Sequence, residues 1–194
     1  LAEVLVTLGI IGVVSAMTLP SLLADTRKNE MSARLKKFNS LMSQAVMMSE
    51  NDNGPAEDWI NRAVSNISLD EFFNQYFAPY LKYTEASYGT GQGTYYVYLA
   101  DGSYFSLVKG NCVDITFDVN GAKKPNIMGR DKFYFLVCGN NINEWCDGRH
   151  FCSYYKSNTL RDQRLANCKS DARFCSGVLE MDNWEFKEDY PYRL

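Results

Sequence analysis

The first 23 residues, LAEVLVTLGIIGVVSAMTLPSLL, form an almost unbroken apolar run with a single charge, Glu3. The stretch from Val4 to Leu23 is uncharged and matches the ~20 residues that a helix needs to cross a bilayer. Hydrocarbon penalises a carboxylate by roughly 2.5 kcal/mol or more at the centre of a span, so a segment serving only as an anchor would avoid one. The run suits a membrane yet carries a charge that needs a partner. A cleaved secretory signal is not expected, because such a signal starts basic and ends at a small-residue cleavage site. Here an acid stands at the start, and the chain passes directly into a second helical pattern, so a retained membrane helix is expected. The first residue is Leu1 rather than methionine, which suits a processed or trimmed chain.

The second pattern is DTRKNEMSARLKKFNSLMSQAVMMSENDNG. Met31, Leu35, Phe38, Met42 and Ala45, with Leu41, Val46 and Met48 beside them, recur at three- and four-residue steps. That spacing marks an amphipathic helix with one buried stripe. No breaker intervenes from Asp25 until Gly54–Pro55, so residues 1–50 predict a helical rod ~75 Å long. Two residues qualify the rod. Gly12 costs ~1 kcal/mol relative to alanine, and Pro20 removes a backbone donor at a cost of ~3 kcal/mol. A kink or a melted stretch between them is expected.

The remainder has room for one globular head. AEDWINRAVSN reads as a short helix, and SLDEFFNQYFAPYLKY opens with Ser68 and Glu71 in the capping-box spacing, with Pro79 ending or bending it. TYYVYLADGSYFSLV is a hairpin around Asp101–Gly102. CVDITFDV and KFYFLV form a second strand pair joined by the longer loop NGAKKPNIMGRD. The predicted fold class is α+β: a long N-terminal helix packed by its second half on an antiparallel sheet of about four strands, with a disulfide-rich C-terminal region. Its organisation is an apolar helix over 1–23, an amphipathic continuation over 24–50, and a head over 51–194 that includes a cysteine-rich stretch over 139–176.

The six cysteines are Cys112, Cys138, Cys146, Cys152, Cys168 and Cys175. An even number clustered in a small domain reads as a disulfide framework in an oxidising compartment. Zinc is the lesser alternative, because no C-x₂-C pair is present and the lone histidine, His150, sits between Cys146 and Cys152. Cys112 and Cys138 are symmetric about Pro125 in the loop between two strands, so a hairpin places them opposite one another. Cys168–Cys175 would close a short loop and Cys146–Cys152 would take the remainder, although six cysteines allow 15 connectivities. A net charge of −3 argues against a protein that coats nucleic acid.

The segment LAEVLVTLGIIGVVSAMTLPSLL resembles the mature N-terminus of the type IV pilin and pseudopilin family, which places a glutamate near the start of a long apolar helix. Leu1-Ala2-Glu3 then resembles a mature pilin whose first two residues precede this numbering, with Glu3 on the family's glutamate and Gly12 and Pro20 on its helix-breaking positions. DVNGAKKPNIMGRDKFYF and the DNWEFKEDYPY ending also resemble heads of some bacterial pilin-like proteins. The resemblance implies a filament subunit that waits in the inner membrane and then joins an extracellular filament or a periplasmic pseudopilus. It implies as partners identical or related subunits, a prepilin peptidase and an inner-membrane assembly platform. Glu3 would pair with the N-terminal amine of a neighbouring subunit. Arg27, Lys28, Arg34, Lys36 and Lys37 would then lie outside the membrane, against the positive-inside bias.

Asp118, Asn120 and Asp131 resemble the start of an oxygen-rich calcium loop, and some secretion pseudopilins bind calcium in the head. The same residue types build ordinary turns, and no glutamate closes the loop. The expectation is therefore a structural loop and no cofactor, with calcium as the alternative. Between Trp145 and Cys175 lie Arg149, Lys156, Arg161, Arg164, Lys169 and Arg173 against three aspartates. The ending from Ser176 is acidic, with Glu180, Asp182, Glu185, Glu188 and Asp189. Such a basic surface suggests contact with DNA or an anionic surface, or head-to-head contact with the acidic ending of a neighbour; a solvated face is the alternative. No G-x-S-x-G or phosphate-binding loop occurs, and no enzyme is expected. The expected role is a pilus-like structural subunit, the alternatives being a type II secretion pseudopilin or a monomeric membrane-tethered binding or enzymatic ectodomain.

Overall fold

A computed structural model describes residues 2–91, 93–140 and 142–193. The first helix, α1 (Ala2–Asn53), runs 52 residues, about 78 Å at 1.5 Å per residue. It stays helical through Gly12 and Pro20, so the alternative of a melted stretch is not present. A proline forfeits one intrahelical bond, and the turns on either side hold the remainder. Ring contacts of Pro20 cannot be described, because its side chain lies outside the described residues.

Helix α2 (Ala56–Ser65) and helix α3 (Leu69–Tyr76) follow. The capping box at α3 forms as expected: Glu71 N–H donates to the Ser68 hydroxyl, and the Glu71 carboxylate accepts from the Ser68 N–H. Pro79 sits in a single 3₁₀ turn, Ala78–Tyr80, beyond the helix. Six strands then form one antiparallel meander in sequence order: β1 (Tyr83–Tyr88), β2 (Tyr95–Leu99), β3 (Tyr104–Lys109), β4 (Val113–Asp118), β5 (Lys132–Val137) and β6 (Phe151–Ser153). Two of these, the edge strands β1 and β6, exceed the four expected. Helix α4 (Ile142–Trp145) precedes β6, while α5 (Arg161–Ser170) and α6 (Cys175–Met181) close the chain.

The two central hairpins fix the inner face of the sheet. Phe105 pairs with Phe117, and Phe117 with Phe133; Ile115 lies between Leu107 and Phe135. These side chains are buried under α1, whose Leu35, Phe38, Met42, Ala45 and Val46 form the opposing stripe. Phe38 touches four rings at once, stacking on Phe117 at 3.9 Å and meeting Phe105, Phe135 and Phe151 at 5.2–6.3 Å. Trp59 and Tyr76 stack 4.8 Å apart and join α2 and α3 to the same core. The core thus closes on the second half of α1 alone.

The bridges are Cys112–Cys138, Cys146–Cys152 and Cys168–Cys175. Val113 pairs with Val137 in the sheet, which sets Cys112 and Cys138 directly opposite, with Cα atoms 4.6 Å apart.

Candidate functional site

The first half of α1 extends from the head as an apolar arm. Leu35 is the first fully buried residue of the helix and Arg27 the first beside the head, so residues 2–26 project over about 38 Å of rise. Within the arm's most apolar 18-residue window nothing is buried. Val4, Leu5, Leu8, Ile11, Val14 and Met17 are all more than half exposed, around the whole circumference of the helix. Monomeric soluble proteins rarely expose contiguous apolar surface beyond a few hundred Å², and a helix apolar on every side belongs in a large core or a membrane. The arm is long and apolar enough to cross a bilayer.

Glu3 sits exposed in the first turn of this arm, with no ion-pair partner among the described residues. Thr7 donates its hydroxyl to the Glu3 and Val4 carbonyls, leaving the Glu3 carboxylate untouched. Gly12 and Gly9 have nothing within 4 Å of where a Cβ would stand. They leave shallow notches where another helix can approach closely.

Asp118, Asn120 and Asp131 do come together, but the carboxylates of Asp118 and Asp131 are engaged by donors of the chain. Asp131 accepts from the Asn126 and Ile127 amides at 2.7 and 2.6 Å and from the Asn120 side chain at 3.2 Å. Asp118 is fully buried, with the Lys132 ammonium 3.7 Å away; burial, together with neighbouring Asp131, pushes its carboxyl up despite that ammonium. Swapping the Asn126 amide lets its nitrogen donate to Asp118 and to the Gly121 carbonyl. The three residues organise the loop between β4 and β5, and no cluster of three or more His, Cys, Asp or Glu suited to a metal occurs among the described residues.

Several of the charges at the C-terminal end pair within the chain. Arg161 clamps Asp182 through Nε and one terminal nitrogen at 2.7 Å and Asp189 through both terminal nitrogens at 2.8 Å. Lys187 adds a further contact to Asp182 at 2.7 Å. Burial pushes the Asp182 carboxyl up, but the two cations outweigh it and hold it below its usual range. Arg149 reaches Glu180 at 2.6 Å, and Arg164 lies over the Tyr155 ring. Arg161 and Arg164 tie α5 to α6 and the segment after it, and Arg149 ties the loop before β6 to α6. His150 faces the Cys138 carbonyl through Nδ1 at 2.8 Å.

A feature that the spacing of residues did not bring out is a cleft where α1 leaves the head. It lies between the first head-facing turns of α1, the Asp101–Gly102 turn and the β4–β5 loop. Lys37 Nζ holds Asp101 at 2.7 Å, and Arg34 donates to the Val119 carbonyl at 3.0 Å, so both loops are fastened to the helix. The cations around it come from segments about a hundred residues apart, and only the KK pair at Lys123–Lys124 hinted at them.

No curated protein and no solved structure matches the chain. Residues 21–194, from the end of the apolar run through the whole head, match a family of unknown function, DUF6613, and the chain belongs to that family.

Proposed function

We propose that this chain is a structural subunit of a type IV pilus-like filament, stored in a membrane through residues 2–23 and polymerised through the same residues. The observation that carries this reading is an exposed apolar arm with an unpartnered carboxylate on a head whose core is complete without it. Lipid covers the arm before assembly, and the arms of neighbouring subunits cover it afterwards. An unpaired charge in a dry core costs several kcal/mol, whereas a paired one roughly breaks even. Pairing Glu3 with a neighbour's N-terminal amine therefore penalises wrong registers more than it stabilises the right one. Partners on this reading are identical or related subunits, a prepilin peptidase and an inner-membrane assembly platform.

The role is structural rather than catalytic. All six cysteines are oxidised, and the one histidine is engaged by a backbone carbonyl. A pseudopilin of a type II secretion system would use the same arm in a shorter, periplasmic filament. Electron microscopy of filaments sheared from the native host tests the proposal. Filaments that contain this chain and vanish with Glu3→Ala, while the variant stays in the membrane fraction, support it. A membrane-bound chain with no filament in the unaltered strain would instead indicate a tethered monomer.

A further inference from the structure

The cleft at the root of the arm has a volume of about 420 Å³ and is lined by α1 from Arg27 to Arg34. Its walls carry five cations and three carboxylates. The carboxylates are engaged: Glu30 pairs with Arg34 at 2.9 Å, Asp101 with Lys37 at 2.7 Å, and Asp131 accepts the backbone amides of its own loop. Arg27, Lys123, Lys124 and Arg130 have no carboxylate partner among the described residues. The Nε of Arg130 is buried without any hydrogen-bond acceptor, and the side-chain oxygen of Asn120 is buried without a donor. The cleft thus carries more positive charge than its own carboxylates balance.

Its position narrows the source. Arg27 follows Leu23, the last residue of the apolar run, by four residues, about 6 Å along the helix. With the arm in a bilayer, the cleft stands at the depth of the headgroups. A phosphoglycerol headgroup supplies a balancing anion as a phosphodiester and, unlike a choline headgroup, brings no cation that the arginines and lysines would repel. We infer that this cleft holds the phosphoglycerol headgroup of an anionic phospholipid belonging to the bilayer that α1 spans. The inference rests on the proposed membrane residence of the arm, though not on filament formation. Headgroup capture seats the head on the membrane before assembly, and the subunit releases the lipid when it is drawn out.

Native mass spectrometry of the full chain, released from detergent micelles containing equal amounts of phosphatidylglycerol and phosphatidylcholine, tests this. Each cation near a lipid surface is worth about fivefold in binding. Phosphatidylglycerol adducts should exceed phosphatidylcholine adducts by about tenfold or more. Lys123→Glu combined with Lys124→Glu should erase that preference, and Arg130→Gln alone should reduce it several-fold. Arg62→Glu with Lys156→Glu, the same charge change on exposed sites away from the cleft, should leave it intact and shows that net charge is not the cause. Equal adducts of the two lipids, or a preference that survives in the Lys123→Glu/Lys124→Glu variant, would overturn the assignment. Displacement of the lipid by an equal concentration of glycerol phosphate would overturn the membrane source. Alkaline carbonate extraction of host membranes containing the chain separates the two readings: a chain retained without lipid preference refutes only the cleft, whereas a chain released refutes membrane residence as well.

Discussion

Phe38 of the long helix lies flat against Phe117 of the fourth strand, with ring centroids 3.9 Å apart and planes 3° from parallel. Both rings are almost wholly buried, and Phe38 also meets the rings of Phe105, Phe135 and Phe151. Within the buried stripe of the helix, this side chain makes the ring contacts to the sheet. Truncating a buried phenylalanine costs about 3–5 kcal/mol. Phe38→Ala should lower the stability of the full chain in detergent by that amount in urea denaturation. Leu41→Ala, half-buried beside it, should cost clearly less. Equal effects would show that the helix is held by its stripe as a whole and not by the ring cluster.

Helix docking should weaken in acid. Burial acts to raise the Asp101 carboxyl, but the Lys37 ammonium and the Ser103 hydroxyl and amide outweigh it and hold it down to about 2. A carboxyl lowered on folding stabilises the native state fully above its ordinary value of 3.8, and that contribution disappears as pH falls through about 2. Asp182, held down by Arg161 and Lys187 against burial, acts in the same direction. Asp114 and Asp118, pushed up by burial, act oppositely, so the Asp101 share is isolated by comparison with Asp101→Asn. The melting temperature of the unaltered chain should fall more steeply from pH 4 to pH 2 than that of Asp101→Asn. Parallel curves would remove Asp101 from the docking contact.

The loops that floor the cleft meet at two glycines. Gly121 has φ +69°, and a Cβ built on it would overlap the Gly102 carbonyl oxygen. Gly102 has φ +82° with open space around it. An alanine in the left-handed region costs roughly 1–2 kcal/mol, so Gly102→Ala should destabilise by about that much. Gly121→Ala should cost more, because the β2–β3 turn must also move. Urea denaturation of the two variants checks the order, and equal losses would mean that the loops part freely.

The bridges close loops of different length: 26 residues for Cys112–Cys138, against 6 and 7 for the other two. Loop-closure entropy gives about 3–4 kcal/mol for the first and about 2–2.5 kcal/mol for each of the others. Double alanine replacement of Cys112 and Cys138 should therefore cost the most in thermal or denaturant melts. A larger loss at Cys168–Cys175 would place the importance in local packing around α5 and α6.

Much of this architecture was legible before any coordinates. The stripe through Leu35, Phe38 and Met42, the box at Ser68 and Glu71, and the hairpin at Asp101–Gly102 all depend on local spacing, and each formed as read. Edge strand β1 escaped because YTEASY is exposed on both faces apart from half-buried Ala86, leaving no alternation to detect. Strand β6 is three residues long and buried throughout. The opposed charges near the C-terminus were visible, but their pairing within one chain depends on α5 and α6 lying side by side, which no local pattern encodes. The cleft was hidden for the same reason, since Arg27 and Lys123 meet only through the docking of α1.

The claim that the arm is an assembly surface is tested most directly by photo-crosslinking from within it. A benzophenone side chain at Ile10 or Val14, both exposed on the arm, reports what covers that surface in the native host. If the arms bundle, irradiation should give a ladder of dimers and higher oligomers of this chain, lost when Glu3→Ala is added although the protein remains in the membrane. Crosslinks to lipid alone from the unaltered arm, with no oligomer at any position, would contradict a filament core and leave the helix as an anchor.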